Sequence, residues 1–204
     1  LPDVAQSETV VAHFMLPDTP KSLTLILLTQ QGRIKRLPCS ELTNLTMRGT
    51  TLIKLKDDDC LEYVSRAQTG EQLILGTSNG RILRFEVNDE QLPVMGRTAQ
   101  GNQALRLRRR EQLVGCTTLS ADDNLLLVTE QGYGKRLPVS AIRRINRGDL
   151  GTQALQFTTS ADTLVGMVPA LPKSEVMLVT NAERVLRLKS ESVKLWGKDG
   201  AGDR

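Results

Sequence analysis

Residues 128–137 read Val128-Thr129-Glu130-Gln131-Gly132-Tyr133-Gly134-Lys135-Arg136-Leu137, and this stretch decides the fold because the chain repeats it. Three other segments share its pattern of a Thr, a polar turn that usually contains Gly, and an Arg followed by an apolar residue. They begin at Thr29-Gln30-Gln31-Gly32, Thr77-Ser78-Asn79-Gly80 and Thr180-Asn181-Ala182-Glu183. The four threonines are 48, 52 and 51 residues apart, a period that is typical of propeller blades.

Each copy is interpreted as a β-hairpin followed by two more strands. A run of strand formers, such as Leu125-Leu126-Leu127-Val128, reaches the turn, and a second strand returns from it. A further glycine follows 14 to 17 residues after the turn, at Gly49, Gly96, Gly148 and Gly197. Alternating segments predict a third strand at 52–55, 104–107 and 154–157. A polar turn and a closing strand complete the unit at 57–64 and 161–168.

Four strands in a unit of about 50 residues predict an all-β radial fold of about four antiparallel, four-stranded blades. Residues 1–204 are interpreted as one such domain or part of one, with repeats starting near residues 26, 73, 125 and 176. The fourth copy ends before its last two strands, and residues 9–15, within 1–25, resemble the missing closing strands. The two ends are expected either to complete a ring or to mark a cut.

The turn residues carry a second expectation. Gly32, Gly80 and Gly132 occupy one position of the repeat, so their turns should superpose. Glu183 has the same position in the fourth copy. Because a residue with a Cβ tolerates a positive φ poorly, we expect a strained or altered turn there.

Composition and charge narrow the class of protein. The apolar runs are far shorter than the roughly 20 residues that span a bilayer, so no membrane segment is expected. The start lacks an initiator Met and a signal peptide, so we expect a fragment of a longer protein. Three widely spaced cysteines without a C-x-x-C pair, together with a single histidine, argue against zinc sites and disulfides, and the cysteines are expected to pack as small hydrophobic residues. The net charge is +4, and residues 101–150 hold the basic excess with nine Lys/Arg against five Asp/Glu.

The repeat resembles the β-pinwheel unit of the C-terminal domains of the A subunits of two bacterial type IIA topoisomerases, DNA gyrase and topoisomerase IV. The resemblance covers essentially the whole chain, and residues 131–136 are its most similar stretch. It implies blades that exchange a strand with their neighbours and a basic rim that bends duplex DNA to direct the strand passage that changes supercoiling. WD-type propellers fit less well, because their period is shorter and no Gly-His or Trp-Asp pair is present.

One departure concerns the choice between the two enzymes. The gyrase heptapeptide Gln-Arg-Arg-Gly-Gly-Lys-Gly does not occur in this sequence. A gyrase domain of the usual six blades that lacks its first two would explain this absence, and so would a topoisomerase IV domain, which lacks the intact heptapeptide. We favour gyrase.

The candidate DNA-binding residues are the cations that recur on each copy. Duplex DNA carries about one negative charge per 1.7 Å of axis, so a wrapping surface needs Lys and Arg along a curved path. Hairpin positions supply Arg33, Lys35, Arg36, Arg81, Arg84, Lys135, Arg136 and Arg184. Loops that join the blades supply Arg48, Arg97, Arg143, Arg144, Arg147, Lys194 and Lys198. Replacing Arg143, Arg144 and Arg147 together is expected to flatten the salt dependence of binding by up to about three units.

Two structural alternatives remain open at this point. The set Arg36, Arg84, Arg136 and Arg187 could cover apolar surface with its stems and cap carbonyl groups with its guanidiniums. The run Arg106, Arg108, Arg109 and Arg110 could be a solubilising edge as well as a contact.

No catalytic residue, metal site or cofactor is expected in this chain. Tyr133 is not a nucleophile, because the repeat places it where other copies have Arg33, Arg81 and Arg184. The three carboxylates Asp57 to Asp59 are interpreted as a solvated turn rather than a metal cluster. Catalysis would belong to the parent protein, an ATP-dependent topoisomerase in the cytoplasm.

The expected partners are duplex DNA, the rest of the A subunit of the parent enzyme and, through it, the ATPase B subunit. Aromatic residues make up 3% of the chain, which argues against stacking on single strands, so binding should involve phosphates and DNA deformability. A protein-interaction propeller without nucleic acid is the rival hypothesis. A mobility shift with duplex DNA across a salt series distinguishes the two.

Overall fold

The sequence forms hairpins wherever the repeated Thr-containing turn occurs. A computed structural model describes residues 8–15, 23–43 and 49–204. In these ranges the only helices are three short 3-10 turns, at Cys39–Leu42, Val139–Ala141 and Ser190–Ser192, and the remaining regular structure is β. The strands are β1 Thr24–Thr29, β2 Arg33–Pro38, β3 Leu61–Ala67, β4 Gln72–Thr77, β5 Arg81–Glu86, β6 Asn102–Gln103, β7 Leu113–Leu119, β8 Asn124–Thr129, β9 Gly134–Pro138, β10 Thr152–Gln153, β11 Leu164–Pro169, β12 Glu175–Val179 and β13 Val185–Lys189.

The four hairpin turns have one geometry, as the repeat predicts. Gly32, Gly80 and Gly132 have φ of 79°, 74° and 87°, and Glu183 has φ of 58° at the same position. This confirms that Glu183 takes up a left-handed conformation that residues with a Cβ adopt rarely. In every copy the repeated threonine hydroxyl accepts a hydrogen bond from the N–H four residues later, at 3.1 to 3.3 Å. The threonine therefore caps the turn from inside.

The hairpins are the centres of four sheets. The strand orders are β3-β1-β2-β6, β10-β5-β4-β7, β11-β8-β9 and β12-β13, and all named strand pairs are antiparallel. These sheets are called blades 1 to 4. The all-β prediction is confirmed, although the described residues give four strands to two blades, three to blade 3 and two to blade 4.

Neighbouring blades exchange a strand. The segment that leaves each hairpin, called its arm, crosses back to the preceding blade: β6 follows β5 in sequence but pairs with β2, and β10 follows β9 but pairs with β5. The third arm makes a single antiparallel bridge, from Asp203 to Gly134 in β9. Each crossing begins at a glycine, because a Cβ on Gly101 would lie 2.4 Å from the carbonyl oxygen of Ile34.

The arms correct two sequence-based predictions. The equivalent glycines are Gly49, Gly101, Gly151 and Gly202, with φ of 77°, 79°, 77° and 92°, rather than the set containing Gly96, Gly148 and Gly197. The third strands are two residues long and lie just before 104–107 and 154–157, and no strand forms at 52–55. The alternating residues leave the ladder because Ala104, Leu105, Ala154 and Leu155 insert into the core, where each is at most 1% exposed.

Two apolar clusters hold the blades together. One joins blade 1 to blade 2 through Leu28, Leu75 and Leu105, and the other joins blade 2 to blade 3 through Ile74, Leu127 and Leu155. Blade 4 is much more exposed, with Met177 and Val179 at 63% and 68%. Residues 9–15, which the sequence predicts as closing strands, have no assigned strand. Residues 1–7 and 16–22 lie outside the described part of the chain. Within the described ranges, no helix is long and apolar enough to cross a membrane.

The cysteines follow the sequence-based expectation only in part. All three are free thiols. Cys39 is buried and Cys116 is half-buried, and burial raises the pKa of the Cys116 thiol to about 12. Cys60 is exposed and its Sγ lies 3.6 Å from Oε1 of Gln30, so the prediction that it packs as a hydrophobic residue is wrong.

Candidate nucleic-acid interface

The candidate cations form two groups in space. Those on the second strand of a hairpin, or just before it, are called hairpin cations. Those on the loops that carry each arm to the preceding blade are called arm-loop cations. The contacts Arg36 to Val94, Arg84 to Arg144 and Arg136 to Leu195 repeat from blade to blade, so Arg97, Arg147 and Lys198 are equivalent. Arg48 lies outside the described residues.

The lysines of the hairpin cations are fully buried. Lys35 is 0% exposed, and its Nζ donates to the carbonyl oxygens of Leu52, Arg97 and Ala99 at 2.6, 2.7 and 3.2 Å. An ammonium group has three donors, and here all three bind backbone. Lys35 therefore fixes the second arm loop to blade 1.

Lys135 repeats this arrangement in blade 3. It is 0% exposed, and its Nζ donates to the carbonyl oxygens of Gly197, Lys198 and Gly200 at 2.8, 3.3 and 2.7 Å. Burial lowers the pKa of Lys135 to about 8, although the Asp199 carboxylate opposes the shift. Burial also lowers the pKa of Lys35, against a smaller opposing effect of Glu41. Neither ammonium retains a donor for a phosphate.

The repeated arginine of the hairpin also faces inward in the first three blades. Arg84 donates from Nη1 to the carbonyl oxygens of Val139 and Ile142 at 2.5 and 3.0 Å. Arg136 donates to those of Val193 and Glu191 at 2.6 and 3.3 Å. Arg36 binds Thr24, Thr69 and Asp89. The contacts of Arg84 and Arg136 favour the structural alternative, in which guanidiniums cap carbonyl groups, and Arg36 is held by side chains instead. Arg187 in blade 4 instead pairs with Glu175 at the surface.

Arg81 makes the one ion pair among the described residues in which both side chains are buried. The Arg81 and Glu111 side chains are 3% and 0% exposed, and Arg81 also donates to the carbonyl oxygen of Arg106 at 3.1 Å. Burial alone would raise the pKa of Glu111, but hydrogen bonds from Arg81, Thr77 and the N–H of Arg108 outweigh it, and the net shift is downward. The related Arg33 is half-buried and donates to the carbonyl oxygen of Gly101 at 3.0 Å.

The arm-loop cations are mostly exposed, and several have a carboxylate partner. Arg97 lies 3.5 Å from Glu41 and Arg144 lies 2.7 Å from Glu86. Lys194 lies 3.8 Å from Asp203, and its Nζ is 5.9 Å from the centre of the Trp196 ring. Such surface pairs are weak, so a phosphate can compete for the cation.

The remaining arm-loop cations differ in orientation. Arg147 is half-buried and donates to the carbonyl oxygens of Gln91 and Gln103. Arg143 and Lys198 are exposed and form no ion pair in the described part of the chain, and the same holds for Arg184 on the fourth hairpin. The exposed cations of successive arm loops can each bind a phosphate group, a contact that positions a duplex without reading its bases.

Sequence reasoning missed the inward direction of the lysines, although one signal pointed to it. The repeat aligns Lys35 and Lys135 with Leu83 and Leu186 in the other two copies. A strand position that accepts both Lys and Leu lies against other residues more often than in water, because a lysine stem can replace an apolar side chain. The ion pair of Arg81 with Glu111 had no such signal, since the two residues are 30 positions apart.

A scan against protein families matches most of the chain. The family described as "DNA gyrase C-terminal domain, beta-propeller" matches residues 24–67, 71–120 and 123–170, which are the sequence of the first three blades.

Curated proteins and solved structures show similar matches. The chain is 39% identical over its whole length to the A subunit of DNA topoisomerase 4 from a Synechocystis strain, and 32% identical over 88% of its length to the A subunit of DNA gyrase from Staphylococcus epidermidis. It covers only 24% and 20% of these relatives. The crystal structure of the C-terminal domain of DNA topoisomerase IV superposes with a TM-score of 0.87 at 19% identity, over 98% of this chain and 62% of that one.

Proposed function

Because this chain belongs to the DNA gyrase C-terminal domain, beta-propeller family, we propose that it is the DNA-binding domain of the A subunit of a bacterial type IIA topoisomerase. It binds duplex DNA through phosphates and bends it around the blades, which directs the strand passage that changes supercoiling. Its partners are DNA, the rest of the polypeptide to which it belongs and, through that polypeptide, the ATPase B subunit. It acts in the cytoplasm. The chemistry of strand cleavage belongs to the rest of the parent enzyme.

The observation that supports this proposal is the spacing of cations on the arm loops. Arg97, Arg147 and Lys198 recur once per blade, and Arg97 and Lys198 are exposed. Arg147 is half-buried, and the exposed Arg143, four residues before it, supplies the cation of that loop, as Lys194 adds one four residues before Lys198. Bending a site of 20–30 base pairs by 40–90° costs about 1–6 kcal/mol, so several contacts must act together. A repeated blade supplies such contacts along a curve. A protein-interaction propeller is the rival proposal, and it requires no cation in an equivalent place on successive blades.

DNA gyrase and topoisomerase IV are the two candidates for the parent enzyme. Gyrase is the prediction from sequence, and the 39% identity to a topoisomerase 4 protein over the whole chain favours the second candidate. The test incubates the complete parent enzyme, with both of its subunits and ATP, with relaxed plasmid. A gain of negative supercoils supports gyrase, whereas relaxation of supercoiled plasmid without any such gain supports topoisomerase IV.

The DNA-binding test is fluorescence anisotropy of this chain with two duplexes of unrelated sequence across a salt series. Log K is expected to fall against log[salt] with a slope of about −0.9 per neutralised phosphate, with the same slope for both duplexes. The variant R97Q/R143Q/K198Q is expected to flatten the slope by up to about three units, because all three side chains are exposed. No binding at low salt would contradict the proposal.

The structure changes what we expect of the trio chosen from sequence. Arg147 donates to backbone and Arg144 pairs with Glu86, so Arg143 is the member without an internal partner among the described residues. The variant R143Q/R144Q/R147Q is therefore expected to flatten the slope by about one to two units rather than three. It is also expected to lower the free energy of unfolding, because Gln91 and Gln103 lose their donor.

A further inference from the structure

Three equivalent turns connect an arm to the closing strand of its blade, and their charges differ. They are residues 56–59 in blade 1, 108–111 in blade 2 and 159–162 in blade 3, and each is closed by an N–H to carbonyl hydrogen bond of 3.1 to 3.2 Å between its last and first residues. Asp58 and Arg110 have nearly the same backbone, with φ of 61° and 64°. Yet the first turn is acidic, the second is basic and the third contains Thr, Ser and Ala before its Asp. Two turns with the same backbone and a third closed by the same hydrogen bond therefore carry three different surfaces.

The basic turn, with the arm residue before it, carries the densest run of cations in the chain. Its arginines are called the arginine turn: Arg106, Arg108, Arg109 and Arg110. All four residues are exposed. Leu107 between them packs against the core, so the flanking arginines point away from it. None of the four guanidiniums forms an ion pair among the described residues, whereas Arg97, Arg144 and Lys194 of the arm loops each do.

The buried pair described above fixes the backbone of the arginine turn. Arg81 donates to the carbonyl oxygen of Arg106 and to Glu111, and the Glu111 carboxylate accepts from the N–H of Arg108 at 2.8 Å. The ends of the turn are thus attached to β5. A phosphate that binds there does not have to order the backbone, so less of the binding free energy is lost to conformational entropy.

The arginine turn is also next to the third arm loop. The N–H of Arg106 donates to the carbonyl oxygen of Asp149 at 3.2 Å, and the N–H of Gly148 donates to that of Ala104 at 2.7 Å. Backbone at 104–106 therefore lies against backbone at 148–149, close in sequence to Arg143. The two parts of the basic quarter, about 40 residues apart in sequence, are therefore in contact.

We propose that the arginine turn is a second phosphate-binding surface for duplex DNA, adjoining the third arm loop, and that it makes blade 2 the strongest DNA contact of the chain. This inference rests on the proposed function. Unpaired guanidiniums lose no internal partner when they bind phosphate, and each neutralised phosphate releases condensed counterions. The acidic turn of blade 1 repels the same backbone, so the DNA path is expected to leave the turn side of the blades there.

The experiment measures duplex binding by anisotropy across a salt series for R108Q/R109Q. Arg110, Arg81 and Glu111 are kept, so the turn conformation and its buried pair are retained. The matched control is K54Q/K56Q, which removes the same charge from two exposed residues, one just before the equivalent turn of blade 1 and one at its first position. R108Q/R109Q is expected to flatten the slope by about two units and to raise Kd at about 0.1 M salt at least tenfold, and the control by less than about half a unit. R108K/R109K is expected to restore the slope, because lysine keeps the charge.

The outcomes separate this inference from the proposed function. Binding by the unaltered chain with equal slopes for R108Q/R109Q and K54Q/K56Q overturns the inference alone, since net charge would then explain any loss. Failure of R108K/R109K to restore the slope also overturns it. Absence of duplex binding by the unaltered chain overturns both proposals. Circular dichroism of each variant shows whether it is folded. If R108Q/R109Q is unfolded, the salt slope of R108K/R109K decides the test.

Discussion

The buried lysines of the hairpins and the exposed cations of the arm loops look alike in sequence but have opposite roles in the fold. Lys135 is buried and its ammonium donates to the carbonyl oxygen of Lys198, whose own side chain is in solvent. The same relation links buried Lys35 to exposed Arg97. In each pair one cation holds the backbone from which the other projects. The sequence therefore shows where a repeat carries a positive charge. Whether that charge holds the backbone or faces the solvent depends on the direction of the side chain.

Breaking the buried ion pair of Arg81 and Glu111 should cause the largest loss of stability. Glu111→Gln leaves the Arg81 guanidinium buried without a carboxylate, and it is expected to lower the free energy of unfolding by about 3–5 kcal/mol. Urea denaturation measures the loss. The matched change Glu175→Gln removes the exposed partner of Arg187 and should cost about 0–1 kcal/mol.

The double variant R81M/E111L sharpens the same test. Apolar side chains of similar volume remove both charges together, so most of the loss seen with Glu111→Gln should be recovered. Similar losses in Glu111→Gln and Glu175→Gln would contradict the distinction between buried and exposed pairs.

Removal of a buried lysine should have the next largest effect. Lys135→Met leaves the carbonyl oxygens of Gly197, Lys198 and Gly200 without their donor, and we expect a loss of about 1–3 kcal/mol in thermal or urea unfolding. The control Lys198→Met removes an exposed cation of the same type and should change stability by less than about 0.5 kcal/mol. If the two variants were equally stable, Lys135 would not hold the arm.

The lowered pKa of Lys135 predicts a pH dependence. The folded chain releases this proton near pH 8, whereas the unfolded chain keeps it until about the ordinary value of 10.5. Between these values the unfolded state binds more protons, so raising the pH favours the folded state. The difference in free energy of unfolding between the unaltered chain and Lys135→Met should grow by about 1–2 kcal/mol from pH 8 to 10. A difference that stays constant or shrinks over this range would mean that the folded lysine keeps its proton.

The smallest effect is expected from an exposed arm-loop cation. Arg144→Gln breaks the surface pair with Glu86 and should change the free energy of unfolding by less than about 1 kcal/mol. Its effect on the salt slope of DNA binding should be about one unit at most. A stability loss as large as that of Lys135→Met would remove the distinction between the two groups of cations.

The sequence was sufficient to predict the hairpins, because their signal is local. A threonine, a glycine and two apolar runs within about a dozen residues define each one, and even the exception at Glu183 keeps the left-handed turn. The arms were harder to predict. Their partners lie far away in sequence, as in the hydrogen bond from the N–H of Ala104 to the carbonyl oxygen of Gly32. Spacing alone could not show that Gly101 rather than Gly96 begins the crossing.

The candidate site shows the same limit. Charge counts located the basic quarter, and the structure shows that its parts meet around Arg106 and Asp149. Counts could not separate buried Lys135 from exposed Lys198, because both follow glycines in basic segments. Lys135 is the buried one because the carbonyl groups of the arm loop need a donor once they lie against blade 3. Side-chain direction follows from tertiary contacts, of which the sequence gives only an indirect sign in the leucines that replace these lysines at Leu83 and Leu186.

The exchanged arms also bear on how such a chain can change length during evolution. One genetic repeat encodes a hairpin together with the arm that leaves it, yet that arm completes the sheet of the hairpin before it, as Asn102–Gln103 does on β2. Each internal repeat therefore contributes one arm and accepts one. Deletion or duplication of a whole repeat keeps these numbers equal, so neighbouring blades in the descendant still find partners for their edges. Blade number can thus change one repeat at a time without leaving an internal sheet edge unpaired.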